Sequence, residues 1–206
     1  MKIGVICGSH RNESQSEKVG RYAAGQLTDS GAADEVFLFS LAGNPLPFWD
    51  EGMWTGDPKW ADALGELRQE LATCDGFVVV SPEWHGMVPA GLKNFFLLLA
   101  GTGELAHKAA LIITVASGAG GGAYPVAELR MSSYKNSRIC YLPEHLIVRS
   151  AGKVFNAEAS ENDAEPHDYL HARLLYCLRL LREYAEALGA VRASGKASLE
   201  IYKNGM

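Results

Sequence analysis

Five short, mostly apolar runs lie along this chain, and segments with helical periodicity separate them. The runs are Lys2–Cys7, Glu35–Leu41, Gly76–Ser81, Ala109–Ala116 and His145–Arg149. Runs that are apolar almost throughout, rather than at alternate positions, are typical of parallel strands buried on both faces. Because parallel neighbours need right-handed crossover connections, helices must cover both faces of such a sheet.

The segments between and after these runs complete the pattern. Apolar residues recur at helical spacing in residues 17–27 and 166–188, and residues 91–100 and 126–137 are also predicted to be helical. Asp57 with Pro58 opens a further helix that extends to Ala72. We therefore expect an α/β three-layer sandwich with a flavodoxin-like, five-stranded parallel sheet of order 2-1-3-4-5. No internal repeat or linker interrupts residues 1–206, so we expect a single domain.

Charge and composition exclude several classes of function. The net charge is −5 and no basic run is interleaved with aromatic residues, so we expect neither nucleic acid nor a membrane as partner. No segment approaches the roughly 18 apolar residues of a membrane-spanning helix. The four cysteines (Cys7, Cys74, Cys140 and Cys177) are scattered, as expected for unpaired thiols in a reducing compartment. We expect a cytoplasmic protein.

Three polar or glycine-rich loops follow strands one, three and four. They read GSHRNESQS (residues 8–16, the first loop), SPEWHGMVPAGLKN (81–94, the second loop) and ASGAGGG (116–122, the third loop). The carboxyl ends of parallel strands lie at one edge of a sheet, where ligands bind in this class of fold. We expect the three loops to form one site.

The first loop has the composition of a phosphate-binding loop. Its serine hydroxyls, its backbone N–H groups and Arg11 are suited to a phosphate at the start of a helix. A P-loop is excluded because no glycine begins the G-x-x-x-x-G-K-[ST] pattern. His10 and Glu13 stand where a Rossmann loop needs glycines, and a cysteine-phosphatase loop would need arginine in place of Glu13. The alternative is a serine-rich helix cap with a surface arginine.

Taken together, the three loops resemble those of the NADPH-dependent FMN reductase family, whose relatives reduce quinones, azo dyes or chromate. The resemblance covers about residues 1–149. The matching positions are Gly8, Ser9, Arg11, Ser14 and Ser16, then Pro82, Glu83, Gly86, Pro89, Leu92, Lys93 and Asn94, then Gly118, Gly121 and Gly122, followed by ELR at residues 128–130.

The resemblance implies that the chain binds FMN and takes electrons from NAD(P)H. Residues that would hold the 5′-phosphate are Ser9, Arg11, Ser14, Gln15 and Ser16. Residues that would line the isoalloxazine ring are Pro82, Glu83, Trp84, His85 and Gly86 on one side, and Ser117, Gly118 and Gly121 at its other edge. A small acceptor (a flavin, quinone, azo compound or metal oxyanion) would then receive two electrons by ping-pong turnover. The alternative is a flavodoxin-like electron carrier or a flavin-binding regulator without nicotinamide turnover.

Three single positions and one four-residue stretch depart from the family pattern. Trp84 replaces a tyrosine, His85 stands where asparagine is common, and Met87 stands where serine is common. FFLL follows the LKN motif in place of AIDW. These departures bear on substrate choice and on the subunit interface rather than on flavin binding.

The chemistry of a flavin is its own, so we expect no catalytic side chain. His85 is either a proton donor to the reduced acceptor or a loop histidine without a chemical role. His167 and His171 share a helix face, but no third ligand is evident, so we expect no metal site. Residues 44–57 are named here the Trp-rich loop. Trp49 and Trp54 within it and Trp60 just after it either fold over the flavin edge or anchor this loop.

The helix at residues 91–100 is apolar on nearly all sides. In this fold only one side of a helix meets the sheet. We therefore expect its other side to bury against a second subunit, in a homodimer or a homotetramer. The alternative is that the Trp-rich loop covers this side within the monomer.

Overall fold

The computed structural model describes residues 1–202 and 204–205. Its sheet contains β1 (Lys2–Cys7), β2 (Glu35–Ser40), β3 (Gly76–Pro82), β4 (Ala109–Val115) and β5 (Cys140–Val148). The strand order is 2-1-3-4-5 and all four neighbouring pairs are parallel, which confirms the predicted fold. The chain direction across the sheet reverses at β1, so a crevice opens at the carboxyl ends of β1 and β3.

The helices lie close to their predicted positions. They are α1 (Gln15–Asp29), α2 (Gly52–Thr55), α3 (Lys59–Thr73), α4 (Ala90–Leu98), α5 (Ala123–Glu128), α6 (Tyr134–Ser137) and α7 (Ala164–Ala193). A π-helical turn, Leu129–Ser133, joins α5 to α6, and 3₁₀ turns lie at Ala151–Lys153 and Ala159–Glu161. The Trp-rich loop was predicted to be irregular, but it contains the short helix α2.

Strand β5 begins five residues before the predicted start at His145. It pairs only with β4 and lies at the edge of the sheet, so buried and exposed residues mix along it. Pro143, for example, is exposed within the strand. A search for runs that are apolar throughout misses the first half of such an edge strand.

Each face of the sheet has its own core. Helices α1 and α7 cover one face, on which Ile3, Val5 and Cys7 of β1 are buried. Helices α3, α4 and α5 cover the other face, on which Ile6 is buried. Alternation of side chains along a strand produces this division.

The apolar helix α4 is covered largely within the monomer. Phe95, Phe96, Leu98 and Leu99 are buried, and only Leu97 in this run is exposed, at 53%. Leu98 packs against Trp60 and Leu64 of α3, with Trp49 and Met53 of the Trp-rich loop beside them. The inference that this helix needs a partner to bury its outer side is therefore wrong for four of its five bulky residues.

The four cysteines are unpaired thiols, and His167 and His171 are hydrogen-bonded within the protein. All four cysteines are unpaired, and burial raises the pKa of the Cys74 and Cys177 thiols to about 11, which keeps them un-ionised at neutral pH. His167 accepts a hydrogen bond from the Phe155 amide at its Nδ1 atom, and His171 Nδ1 lies 2.8 Å from the Tyr22 hydroxyl. None of the helices in the described chain is both long enough and apolar enough to cross a membrane.

The contact between α1 and β1 makes a stability prediction. A Cβ atom at Gly20 would lie 2.4 Å from Cys7 Sγ, so Gly20→Ala should lower the free energy of unfolding by about 1–3 kcal/mol. Gly25, on the same helix, has nothing within 4 Å of its Cβ position. Gly25→Ala should therefore raise the free energy of unfolding by up to about 1 kcal/mol. Urea unfolding of the two variants checks both signs, and equal midpoints would contradict this packing.

Candidate cofactor site

The three loops do meet at one edge of the sheet. The rings of His10 in the first loop and Trp84 in the second lie edge to face, with centroids 4.7 Å apart. Glu83 of the second loop accepts a hydrogen bond from the Gly122 amide of the third, at 2.5 Å. These contacts confirm the predicted convergence and give the site a defined shape.

Ser14 connects the first loop to α1. Its backbone is extended, and its Oγ atom accepts a hydrogen bond from the Glu17 amide at 3.1 Å, so it is the N-cap of the helix. The same Oγ atom lies 3.1 Å from Ser16 Oγ. The cap that was left open as an alternative is therefore present, and Ser14 has a role within the protein whatever else it binds.

The backbone of the first loop leaves several donors unused. Between Ser9 and Ser16, only the Arg11 amide donates to an acceptor within the described chain, namely Ser9 Oγ at 3.3 Å. Glu13 adopts a left-handed conformation with φ of 51° just before the helix. Unpaired amides at a helix N-terminus, next to a left-handed residue, form the kind of concavity that binds an anion.

The side chains around these amides differ in exposure. Ser9 and Ser16 are buried, whereas Arg11 and Gln15 are exposed. The Arg11 guanidinium has no ion pair within the described part of the chain, which leaves it available to a ligand. The residues present therefore fit a phosphate group.

The tip of the second loop is a two-residue hairpin turn. The Trp84 amide donates to the Met87 carbonyl at 3.1 Å, and the Met87 amide donates to the Trp84 carbonyl at 2.9 Å. His85 and Gly86 both have positive φ, 54° and 74°, as in a type I′ turn. Histidine and asparagine tolerate this conformation better than most residues, so His85 can replace the family asparagine without altering the backbone. Its side chain is exposed.

The glycines of the third loop serve different purposes. A Cβ atom at Gly122, where φ is 98°, would lie 2.4 Å from Ile147 Cγ2, and one at Gly121 would lie 2.8 Å from Ala116 Cβ. Gly118 has nothing within 4 Å of its Cβ position and is exposed beside Ser117. Gly120 is equally open and exposed, so Gly118 and Gly120 present an open backbone to a ligand, whereas Gly121 and Gly122 are required by packing within the chain.

Lys18 is a residue of the site that sequence reasoning missed. Its ammonium donates to the carbonyls of Ala151 (2.7 Å) and Val154 (2.9 Å) and to Asn156 Oδ1 (2.5 Å). Burial lowers the pKa of this ammonium. The segment it holds is joined to the third loop, because the Ser150 amide donates to the Gly118 carbonyl at 3.2 Å. Lys18 thus ties the start of α1 to the third loop, although no local motif marks it.

Glu128 likewise joins two parts of the site, because it connects α5 to the second loop. Its carboxylate accepts the Val88 amide at 2.7 Å and pairs with Lys93 Nζ at 2.6 Å. Both side chains belong to motifs that the sequence shows, LKN and ELR, but their pairing does not follow from either motif alone. The ion pair holds α4 and α5 at a fixed separation beside the site.

Two cavities flank the loops. One of about 720 Å³ lies against α1 and the first loop and is lined by residues that include Gln15, Arg21 and Phe155. The other, of about 400 Å³, is a groove between α4 and the α5–α6 segment, with Leu97 and Leu129 in its wall. Neither is lined by residues of all three loops.

Comparison with known proteins identifies the family. The family model for NADPH-dependent FMN reductase matches residues 1–153. A NADPH azoreductase from Bacillus sp. (strain OY1-2) is 28% identical over 196 residues, which cover 92% of this chain and 99% of that protein. A FMN-dependent NADH:quinone oxidoreductase from Cronobacter sakazakii is 34% identical over 115 residues. That match spans 50% of this chain and 55% of the relative.

Solved structures confirm the fold. FerB, a flavoenzyme NAD(P)H:(acceptor) oxidoreductase from Paracoccus denitrificans, aligns with a TM-score of 0.65 at 17% identity, over 90% of this chain and 97% of that one. An oxidoreductase from Corynebacterium diphtheriae aligns with a TM-score of 0.63 at 15% identity, with the same coverage of both chains. Since the family model accounts for 153 of the 206 residues and includes all three loops, this chain belongs to the NADPH-dependent FMN reductase family.

Proposed function

We propose that this protein is an FMN-dependent oxidoreductase that takes electrons from NAD(P)H and reduces a small acceptor, such as a flavin, quinone, azo compound or metal oxyanion. The observation that carries the proposal is the row of unpaired amides between Ser9 and Ser16 in a chain that belongs to this family. Bound FMN supplies the two-electron chemistry, and the protein supplies binding and orientation. The unpaired cysteines fit the cytoplasm, which we propose as its location.

The residues of the first loop would hold the phosphate. The unpaired amides, the hydroxyls of Ser9 and Ser16 and the exposed Arg11 supply its donors, and Gln15 lies beside them on the surface. Ser14 contributes chiefly by capping α1. The positive end of α1 favours the dianionic phosphate electrostatically.

The second and third loops would hold the ring. Pro82, Trp84, His85 and Gly86 would present the hairpin turn to one side of it, and Ser117 and Gly118 would present an open backbone to its other edge. Glu83 and Gly121 would contribute through the contacts between loops. NAD(P)H and the acceptor would occupy the same exposed face in turn, as in ping-pong kinetics.

The protein should purify yellow, or become yellow when FMN is added. Denaturation should release FMN rather than FAD, because the described residues show one loop suited to a phosphate and no second site for an adenosine diphosphate. NADPH or NADH, added without oxygen, should bleach the flavin, and a quinone should restore its colour. A flavin that neither nucleotide reduces would identify an electron carrier or a binding protein instead.

Replacement of Arg11 tests the phosphate assignment. Arg11→Ala should change the free energy of unfolding by about 0.5 kcal/mol or less, because the side chain is exposed. It should weaken FMN binding by about 1.5–3 kcal/mol, on the order of ten- to a hundredfold. Riboflavin has no phosphate and should bind both proteins equally. Fluorescence titration of the apo-proteins measures all four affinities.

Arg21→Ala is the matched control for Arg11→Ala. Arg21 lies on α1 and pairs with Glu17 at 2.6 Å, so its loss removes one positive charge near the loop without touching the proposed phosphate contacts. FMN affinity of this variant should stay within about threefold of wild type, since exposed charges interact weakly through solvent. If Arg11→Ala weakens riboflavin as much as FMN, the phosphate assignment is wrong.

We also propose a homodimer or homotetramer. The apolar surface that supports this proposal is smaller than the sequence predicts, because only Leu97 of the run Phe95–Leu99 is exposed. Leu97 lines the groove between α4 and the α5–α6 segment, and the exposed Met131 belongs to the same segment. Apolar side chains around an open groove are typical of a subunit interface.

Leu97→Glu should convert the oligomer to a monomer, because it places a charge in the centre of that surface. Light scattering measures the mass, and circular dichroism checks that the fold is retained. Val191→Glu is the control: Val191 is similarly exposed, at 43%, but lies on α7. A wild-type protein that is already monomeric at micromolar concentration would overturn the proposal.

A further inference from the structure

The Trp-rich loop holds two aromatic rings away from the protein interior. Phe48 is 74% exposed and Trp54 is 79% exposed. Rings left in water forgo the free energy that their burial would gain, and two large rings on one short loop offer apolar area that a planar ligand could cover. The cofactor chemistry proposed above does not use them.

The backbone that carries Phe48 is fixed on both sides. Asn94 of α4 is buried. Its Oδ1 atom accepts a hydrogen bond from the Trp49 amide at 2.8 Å, and its Nδ2 atom donates one to the Pro47 carbonyl at 2.9 Å. One side chain therefore holds the residue before Phe48 and the residue after it. The exposure of the Phe48 ring is built into the fold rather than produced by a loose segment.

Trp54 is fixed by different contacts. Its ring packs edge to face on Trp49, with centroids 4.8 Å apart. Asp50 holds the turn between them, since it accepts the Gly52 amide at 2.8 Å and pairs with Lys59 at 2.6 Å. Both exposed rings thus lie on one ordered loop.

The Trp-rich loop is joined to the loops of the proposed cofactor site. The Trp-rich loop follows the carboxyl end of β2, and just before it the Gly43 amide donates to the carbonyl of His10 in the first loop at 3.3 Å. His10 also contacts Trp84 and packs against Gly91, which lies one turn before Asn94 on α4. The Trp-rich loop and the cofactor loops therefore share His10 and α4 as supports.

The Trp-rich loop is distinct from the proposed subunit interface. Asn94 and Leu98 face the Trp-rich loop, whereas Lys93, Phe96 and Leu97 line the groove on another side of α4.

We propose that Phe48 and Trp54 form an acceptor-binding surface that takes the planar ring of an aromatic or quinonoid acceptor beside the cofactor. This inference rests on the proposed function and specifies its acceptor class. Ring-to-ring contacts are worth about 0.5–1.5 kcal/mol each, which favours planar acceptors over small inorganic oxidants. In the supported turnover NAD(P)H is oxidised to NAD(P)⁺ and supplies a hydride equivalent, solvent supplies one proton, and the quinone becomes its hydroquinone.

The test uses the FMN-loaded enzyme with Phe48→Ala, Trp54→Ala and the double variant. Each single change should raise KM for a naphthoquinone by about two- to tenfold, with a larger rise in the double variant. Turnover with ferricyanide, the rate of flavin reduction by NADPH and the FMN affinity should stay within about twofold of wild type. Tyr169→Ala, which removes a ring that is 68% exposed on α7, is the control and should leave every value unchanged.

Asn94→Ala tests whether the fixed backbone matters. It keeps the Phe48 ring but removes both bonds that position it, so it should raise KM for the naphthoquinone as Phe48→Ala does. Because both changes disturb one contact, their effects should not add in the combined variant. Fully additive effects would show that Asn94 does not act through Phe48 and would overturn this part of the proposal.

The remaining outcomes separate the two proposals. If NADPH reduces the flavin and ferricyanide is turned over, but the double variant keeps the wild-type KM for the naphthoquinone, the acceptor surface is wrong and the proposed function stands. If the double variant loses its subunit partner in light scattering, the rings belong to an interface and the acceptor surface is again wrong. If the wild-type flavin is not reduced by either nucleotide, the proposed function itself fails.

Discussion

The close passage of the chain at Gly8 is the constraint on which the rest of the site depends. The Gly8 amide donates to the Val80 carbonyl at 2.8 Å, where β1 ends beside β3. A Cβ atom there would lie 2.6 Å from Leu92 Cδ2 and 2.8 Å from that same carbonyl, so only glycine fits. This contact brings the start of the first loop against α4, and thereby places the unpaired amides beside the second loop. A bulkier residue would push these two elements apart.

Three charged side chains near the loops bind backbone groups of the protein. Glu83 holds the third loop, Glu128 holds Val88, and Lys18 holds the segment after β5. Each of these charged side chains forms a hydrogen bond with a backbone amide or carbonyl, and such a bond is stronger than one between neutral groups. Loops fixed in this way before a ligand arrives need less ordering on binding, which favours affinity.

The positions that depart from the family lie at the surface of this framework. His85 lies at the exposed tip of the hairpin turn, and the turn itself needs only two residues that tolerate positive φ. Trp84 is half-buried against His10, and Met87 is half-exposed beside it. Such positions can vary in shape and polarity while the first loop and the sheet stay the same.

The sequence by itself determined the sheet order, the helices and the meeting of the three loops, because buried parallel strands and helix caps leave local patterns in composition. It also pointed to Arg11 and the serines of the first loop. Only the tertiary structure decided that Ser14 caps α1 and that Glu83 accepts a hydrogen bond from the Gly122 amide. It also decided that residue 121 must be glycine, because a Cβ atom there would clash with Ala116. The tertiary structure also decided that Lys18 bonds the carbonyls of Ala151 and Val154. It placed the Asn94 side chain against the Trp-rich loop, and it packed Trp60 and Leu64 over Leu98. These contacts join residues that are far apart in the chain, and a local pattern carries no information about which distant atom a side chain meets. Even the edge strand β5 shows this limit, since its mixed burial follows from its place in the sheet and not from its own propensity.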